Sequence, residues 1–151
     1  MPKTPAHRLR RKPPFFHPVP LRSRRDGWTV PRQCAFLAAL YVTGSVAGAA
    51  RSVGLSRASA YRLRERDGAA GFAFAWDCVL TAPGSGRQTR PKTDWRKVTL
   101  DAVLQRAETG MVQPVIHRGT MTGIRRKADN SALLRAVRRI APVQKKKGAD
   151  H

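Results

Sequence analysis

The chain has 151 residues, of which 30 are lysine or arginine and nine are aspartate or glutamate, giving a formal net charge of +21. A surplus of this size favours a polyanionic partner, and nucleic acid is the first to consider. No apolar run reaches the roughly 20 residues that span a bilayer, and no apolar signal-peptide core is present. We therefore expect no membrane partner. We also expect the protein to be cytoplasmic, in a bacterial or phage-infected cell, and to associate with the nucleoid.

The first 25 residues combine eight basic residues with six prolines and contain no acidic residue. Prolines exclude a helix here, so residues 1–25 are predicted to be a disordered basic arm. Such an arm gains from counterion release when it lies along DNA, although a merely solvated tail is the alternative. The pair Phe15-Phe16 is predicted either to dock a partner or to fold back on the domain. Within the arm, the predicted phosphate contacts are Arg22, Arg24 and Arg25.

Residues 26–82 have the pattern of a small helical domain. Thr29 and Pro31 suit the start of a first helix, which is predicted to end before Gly44. Three more helices follow, the last over about residues 71–80. Their apolar residues recur at helical spacing, so one side of each helix is expected to be buried. The predicted centre of the core consists of Phe36, Leu40, Phe72 and Trp76.

The run VAGAARSVGLSRASAYRLRE, which spans residues 46–65, predicts a helix-turn-helix. Ala50 is small enough for a second helix to cross closely above it. Gly54 lies where the turn requires a left-handed backbone, which costs other residues about 1–2 kcal/mol. Ser45 and Ser56 are predicted to cap the two helices through their hydroxyl groups.

The outer side of the second helix of this pair carries the candidate DNA contacts. An arginine can bind the two major-groove acceptors of guanine, so this face suits base recognition. A solvated helix face is the alternative. The predicted base contacts are Ser56, Arg57, Ser59, Tyr61 and Arg62, and the predicted phosphate contacts nearby are Arg51, Arg64 and Arg66.

The second half is predicted to form a separate module after a linker at residues 83–93. Its region, 94–142, begins with a helix capped by Asp94 and continues with a β-hairpin centred on Arg118-Gly119. A last helix is capped by Asp129, spans about residues 130–140 and is stopped by Pro142. A basic tail follows at 143–151. The fold class is thus mostly α, with a homeodomain-like helical domain, a small helix–hairpin–helix module and disordered basic termini.

The sequence gives little sign of catalysis. Asp94, Asp101 and Glu108 recur every seven residues, which suits a solvent-facing stripe better than a metal cage. No phosphate-binding glycine loop is present, and the four histidines are scattered. Cys34 and Cys78 lie in apolar helical patterns and are interpreted as buried free thiols. We expect a protein that is not an enzyme and that holds no metal or cofactor.

The segments DGWTVP, TGSVAGAARSVGLSRASAYRLR and GFAFAWD resemble small helix-turn-helix proteins of proteobacteria and their phages. This unit is similar to the DNA-recognition domain of phage terminase small subunits, and the likeness extends over roughly residues 26–142. The second half departs from it at Ile116, His117 and Ala128, where family members tend to carry tyrosines. The resemblance implies sequence recognition by the arginine-bearing helix.

The expected function is therefore sequence-selective binding of double-stranded DNA, by a terminase-small-subunit-like protein or a small transcription regulator. Packaging predicts a ring-like homo-oligomer and a packaging ATPase as partner. Regulation predicts a dimer that binds paired half-sites. Two alternatives belong to other classes: an RNA-binding or ribosome-associated basic protein, and a phage structural adaptor.

Overall fold

The computed structural model describes residues 10–20, 27–82, 90, 92 and 94–149, with the side chains of 142–149 left out. This part of the chain is mostly helical and contains one two-stranded antiparallel sheet, as the sequence predicted. No helix within it is long and apolar enough to cross a membrane. The elements are α1 (Val30–Thr43), α2 (Val46–Ser52), α3 (Arg57–Arg64), α4 (Ala70–Leu80), α5 (Leu100–Thr109), β1 (Met111–His117), β2 (Thr120–Lys127) and α6 (Asn130–Ala149).

The chain divides into two compact units, and the hairpin is shared between them. The first unit comprises Met1–Pro91 with Val112–Arg125, and the second comprises Lys92–Met111 with Arg126–His151. The predicted module at 94–142 therefore does not include most of the hairpin. The reason is burial: apolar side chains of the two strands pack against the first unit's core, namely those of Ile116, Met121 and Ile124.

Local capping rules account for the starts of α1, α2 and α3. The hydroxyl of Thr29 accepts a hydrogen bond from the backbone N–H of Arg32, and those of Ser45 and Ser56 do the same for α2 and α3. Gly44 ends α1 with a φ of 68°, which is the left-handed conformation that glycine adopts without strain. These predicted boundaries are confirmed.

Aromatic side chains form the centre of the first unit. Phe36, Leu40 and Phe72 are fully buried and Trp76 is 2% exposed, which confirms the predicted core. The rings of Phe36 and Phe72 lie 5.1 and 6.0 Å from the ring of Trp76. Edge and tilted contacts of this kind stabilise beyond the apolar area that they bury.

The two cysteines are buried free thiols, as predicted. Burial raises the pKa of the Cys78 thiol, and the positive charges of Arg11 and Arg90 act in the opposite direction. A raised pKa leaves less thiolate at neutral pH, and the thiolate is the form that reacts. Burial in α4 therefore makes the Cys78 thiol a weak nucleophile at neutral pH.

Residues 10–20 form an extended segment, the N-terminal strap, that packs into the first unit. Phe16 is fully buried, and its backbone N–H and carbonyl exchange two 2.9 Å hydrogen bonds with Val112 in β1. The predicted disorder of residues 1–25 is therefore wrong for residues 10–20. The prediction that these residues are not helical is confirmed. Proline-rich backbone is already extended, so it can lie in a groove without first losing helical hydrogen bonds. Residues 1–9 and 21–26, including Arg22, Arg24 and Arg25, lie outside the described part.

The first described residue of the strap closes the C-terminal end of α1. Arg10 donates from Nε to the carbonyl of Tyr41 at 2.6 Å and from Nη2 to that of Val42 at 2.8 Å. A cation at this position also interacts favourably with the negative end of the helix dipole. A Cβ on Gly44 would lie 2.6 Å from the guanidinium of Arg10, so glycine leaves the space for this contact.

The second unit is an antiparallel pair of helices, and two of its predicted boundaries are wrong. α5 begins at Leu100 because Thr99 accepts from the N–H of Ala102, whereas Asp94 accepts from the N–H of Arg96 in a separate turn. The predicted cap Asp129 is confirmed by its 3.0 Å bond from the N–H of Ala132.

The helix α6 does not stop at Pro142 but continues to Ala149. Proline contributes no N–H, so the helix passes this point with one backbone hydrogen bond fewer. Near its middle, Arg139 donates to the carbonyl of Val98 at 2.7 Å and also to that of Trp95. Both carbonyls precede α5, which fixes the antiparallel arrangement of the two helices.

The hairpin turn contains a strained residue. Arg118 has a φ of 51° and Gly119 a φ of 78°, and Arg118 is the one non-glycine residue with positive φ in the described part of the chain. Two successive positive φ values define a type I′ turn, which favours Asn-Gly. The predicted hairpin is confirmed, with arginine at a position where asparagine is better suited.

Replacing Arg118 with asparagine should therefore stabilise the protein by about 0.5–1 kcal/mol, because asparagine tolerates this conformation better. Gly119→Ala should lower the free energy of unfolding by about 1–2 kcal/mol, because alanine is strained at a positive φ. The strain arises although open space surrounds Gly119. Urea unfolding followed by circular dichroism measures both changes. A loss of stability in Arg118→Asn would contradict the assigned turn.

Candidate nucleic-acid interface

α2 and α3 are joined by a tight turn that holds them at close contact. The N–H of Leu55 donates to the carbonyl of Ala50 at 2.9 Å, and Gly54 has a φ of 76°, as the sequence predicted. Ala50 is fully buried beneath α3. On α3 itself, Ala60 and Leu63 are buried, Ser59 and Arg64 are partly buried, and the other side chains are exposed.

A hydrogen bond fixes the start of α3 to the segment before α1. The indole Nε1 of Trp28 donates to Oγ of Ser59 at 2.8 Å, and Trp28 is 8% exposed. Its ring packs edge-on against Phe36, with centroids 5.3 Å apart. The base contact predicted for Ser59 stays a prediction; in the structure its Oγ accepts this partly buried bond, which holds the start of α3.

On the exposed side of α3, Tyr61 lies between Arg57 of the same helix and the buried Trp76 of α4. The ring of Tyr61 lies 5.2 Å from the ring of Trp76, and the guanidinium of Arg57 lies 5.4 Å above Tyr61. Tyr61 remains 40% exposed. A guanidinium on an aromatic face gains about 0.5–1 kcal/mol at an exposed site, so Arg57 is partly ordered before any ligand binds.

The C-terminal end of α3 is tied to α4 by Arg64. Its two terminal nitrogens lie 3.2 and 3.4 Å from the carboxylate oxygens of Asp77, and its guanidinium stacks on Trp76 at 4.8 Å. The phosphate contact predicted for Arg64 stays a prediction; in the structure these contacts hold the end of α3 against α4. Bidentate pairing of this kind fixes orientation as well as adding energy.

Comparisons of the chain with protein-family models, with curated proteins and with solved structures give no match. Among the described residues, no three or more histidine, cysteine, aspartate or glutamate side chains lie close enough together to hold a metal ion.

The structure brings together most of the predicted contact residues. Arg57, Tyr61 and Arg62 are exposed along one side of α3, and Ser56 lies at its start with its hydroxyl used in capping. Arg51 and Arg66 are exposed nearby. Within the described residues, Arg51, Arg62 and Arg66 form no ion pair.

The bonds Trp28–Ser59 and Arg64–Asp77 were missed by sequence reasoning. They join residues 31 and 13 positions apart, and no local spacing rule signals them.

Proposed function

We propose that this chain binds double-stranded DNA with sequence selectivity, and that α2, its turn and α3 act as a homeodomain-like helix-turn-helix. The observation that carries the proposal is the arrangement of α3. One side is buried through Ala60 and Leu63, while the other presents Arg57, Tyr61 and Arg62 to solvent. An α-helix with such a face fits the major groove, where each base pair shows a distinct set of donors and acceptors.

The side chains of this face have different roles in the proposal. Arg57, which is stacked on Tyr61, would bind guanine through two parallel hydrogen bonds, and Arg62 would contact the next bases along the groove. Arg51 and Arg66 would neutralise phosphates on either side. The bonds of Ser59 and Arg64 to the rest of the unit would keep the helix at a fixed angle during recognition.

We also propose two biological settings for this DNA binding. A terminase-small-subunit-like protein would deliver DNA to a packaging ATPase, and a small regulator would bind paired half-sites on the nucleoid. The symmetry of the bound sequence separates the two roles, because a dimeric regulator requires half-sites about one helical turn apart.

The experiment that tests the proposal is selection of bound duplexes from a random DNA library at about 0.2 M salt, where non-specific attraction is weakened. The proposal expects a defined motif. Equal recovery of all sequences would contradict base recognition, and stronger binding of structured RNA in competition at the same salt would favour the RNA-binding alternative.

Arg57→Ala should reduce affinity for the selected duplex by about 5- to 150-fold, because a good bidentate arginine–guanine pair contributes about 1–3 kcal/mol of discrimination. Affinity for a scrambled duplex should change far less. Fluorescence anisotropy with both duplexes measures the two affinities. Equal losses on both would show that Arg57 does not read bases.

Arg66→Ala is the control, because Arg66 follows the C-terminal end of α3 whereas Arg57 lies at its N-terminal end. A phosphate contact carries no sequence information, so its loss should weaken both duplexes alike. It should also reduce the slope of log affinity against log salt by about 0.9. Triple replacement of Arg22, Arg24 and Arg25 by alanine should reduce that slope further if these residues contact phosphates.

A further inference from the structure

The ring of Trp95 lies against two arginine side chains of the second unit. The guanidinium of Arg106, from α5, lies 5.6 Å from the ring centroid, and that of Arg135, from α6, lies 4.6 Å from it. A third arginine, Arg139, donates to the backbone carbonyl of Trp95 and so fixes the position of this residue. Three positive charges therefore meet at one partly exposed tryptophan. We call Trp95, Arg106 and Arg135 the Trp95 cluster.

The guanidinium groups of the Trp95 cluster have hydrogen-bond donors to offer. Arg135 is exposed and Arg106 is partly exposed. Within the residues that the structure describes, neither forms a hydrogen bond or an ion pair. Each guanidinium has five N–H donors, and a cation–π contact supplies no oxygen acceptor for them. The cluster is therefore able to donate to an anion without breaking a contact within the described chain.

The acidic residues described in the second unit do not neutralise the Trp95 cluster. On α5, Asp101 and Glu108 are exposed and lie about 140–160° around the helix from Arg106, at about 100° per residue. The carboxylates of Asp94 and Asp129 each accept a hydrogen bond from a backbone N–H a few residues further along the chain. The cluster therefore keeps its positive charge for a partner.

We propose that the Trp95 cluster binds a phosphate of the DNA backbone, so that the second unit contacts DNA without reading its sequence. A phosphodiester has two unbridged oxygens in a tetrahedral arrangement, which suits guanidiniums from two different helices, whereas a planar carboxylate suits a single guanidinium fork. The exposed Arg96 and Lys97 extend the positive surface beyond the cluster, as a long polyanion favours. This inference rests on the proposed DNA binding but not on its sequence selectivity.

Proton–nitrogen correlation NMR of the full chain tests this site directly, because each tryptophan indole N–H gives a signal of its own. The signal of Trp95 is identified by its loss in Trp95→Phe. We expect it to shift when a scrambled DNA duplex is added, and to stay in place in the double variant Arg106→Gln/Arg135→Gln saturated with the same duplex. An unmoved Trp95 signal in the wild-type complex would overturn the proposal. A shift produced by inorganic phosphate or by polyglutamate, but not by the duplex, would also overturn it.

The salt dependence of affinity gives a second readout. Arg106→Gln/Arg135→Gln should reduce the slope of log affinity against log salt by about 0.9, the value for one phosphate contact, on the selected and the scrambled duplex alike. The matched control is Arg125→Gln/Arg126→Gln, which removes the same charge from exposed residues of β2 that contact no aromatic ring in the described chain. Equal changes of slope in the two double variants would show a general effect of net charge and overturn the assigned site.

Conservative replacement separates the guanidinium contact from charge alone. Arg106→Lys/Arg135→Lys retains both charges but loses the planar fork of donors. The salt slope should therefore stay near the wild-type value, while affinity for both duplexes falls by about 2- to 10-fold, the range expected for one hydrogen bond. Full wild-type affinity would contradict the guanidinium contact. A library selection without a motif would remove sequence selectivity and leave this site intact, whereas an unmoved Trp95 signal beside a clear motif would remove this site alone.

Discussion

Replacing Phe16 with alanine is expected to lower the free energy of unfolding by about 3–5 kcal/mol, which is the usual cost of removing a fully buried phenylalanine. The side chain of Phe16 is inaccessible to solvent and packs edge-on against Phe72, with ring centroids 6.1 Å apart. Its loss would leave a cavity beneath the strap that proline-rich backbone cannot fill by collapsing. Urea unfolding monitored by tryptophan fluorescence measures the change.

The neighbouring residue provides the control for Phe16. Phe15 is only partly buried, so Phe15→Ala should cost clearly less. Limited trypsin digestion gives a second readout, because Arg10 is held on α1 in the folded strap. Cleavage after Arg10 should be slow in the native protein and fast in Phe16→Ala. Equal stability losses in the two variants would contradict the buried position of Phe16.

Gln33→Leu is expected to destabilise the protein by about 3 kcal/mol or more, although the two side chains are similar in size. Gln33 is fully buried, and its Oε1 accepts from the N–H of Val19 at 2.8 Å. Its Nε2 donates to the carbonyls of Val19 and Trp28, both at 3.1 Å. Leucine would leave these backbone groups buried without partners, and each such group costs about 1–3 kcal/mol.

Gln33→Glu adds a pH signature that a packing defect would not produce. An ionised carboxylate cannot donate to the two carbonyls, so the introduced group should remain protonated in the folded state, with a raised pKa. The folded state then binds more protons than the unfolded state, and the variant should lose stability as pH rises above the ordinary glutamate range.

Urea unfolding at pH 5 and pH 8 measures this dependence. Gln105→Glu, at an exposed position of α5, should change stability by less than about 0.5 kcal/mol and show no such trend. A Gln33→Glu variant with equal stability at both pH values would contradict the assigned hydrogen bonds.

Most features set by neighbouring residues were predictable from the sequence, with the start of α5 and the end of α6 as exceptions, whereas features set by distant residues were not. Thr29, Ser45, Ser56 and Asp129 cap helices because a hydroxyl or carboxylate oxygen reaches an N–H within three residues. The turn at Gly54 was predictable for a similar reason, because glycine adopts its positive φ without strain.

The N-terminal strap could not be predicted in this way. Its composition of prolines and cations is typical of disorder, and its order depends on Gln33 and Val112, which lie far along the chain. The same limit applies to Arg10, whose contacts with α1 have no signature in the flanking residues. At the candidate site, the exposed side of α3 was evident from its pattern, whereas the roles of Ser59 and Arg64 depended on Trp28 and Asp77.

The pairing of Phe16 with Val112 has a consequence for the order in which the protein folds. These two residues are separated by 96 positions, from 16 to 112, so their hydrogen bonds close a very long loop. During synthesis, the residues of α1 to α4 are all added before Val112, so these helices can begin to associate without it. The hairpin can then dock last, and its bonds to Phe16 form on helices that are already assembled.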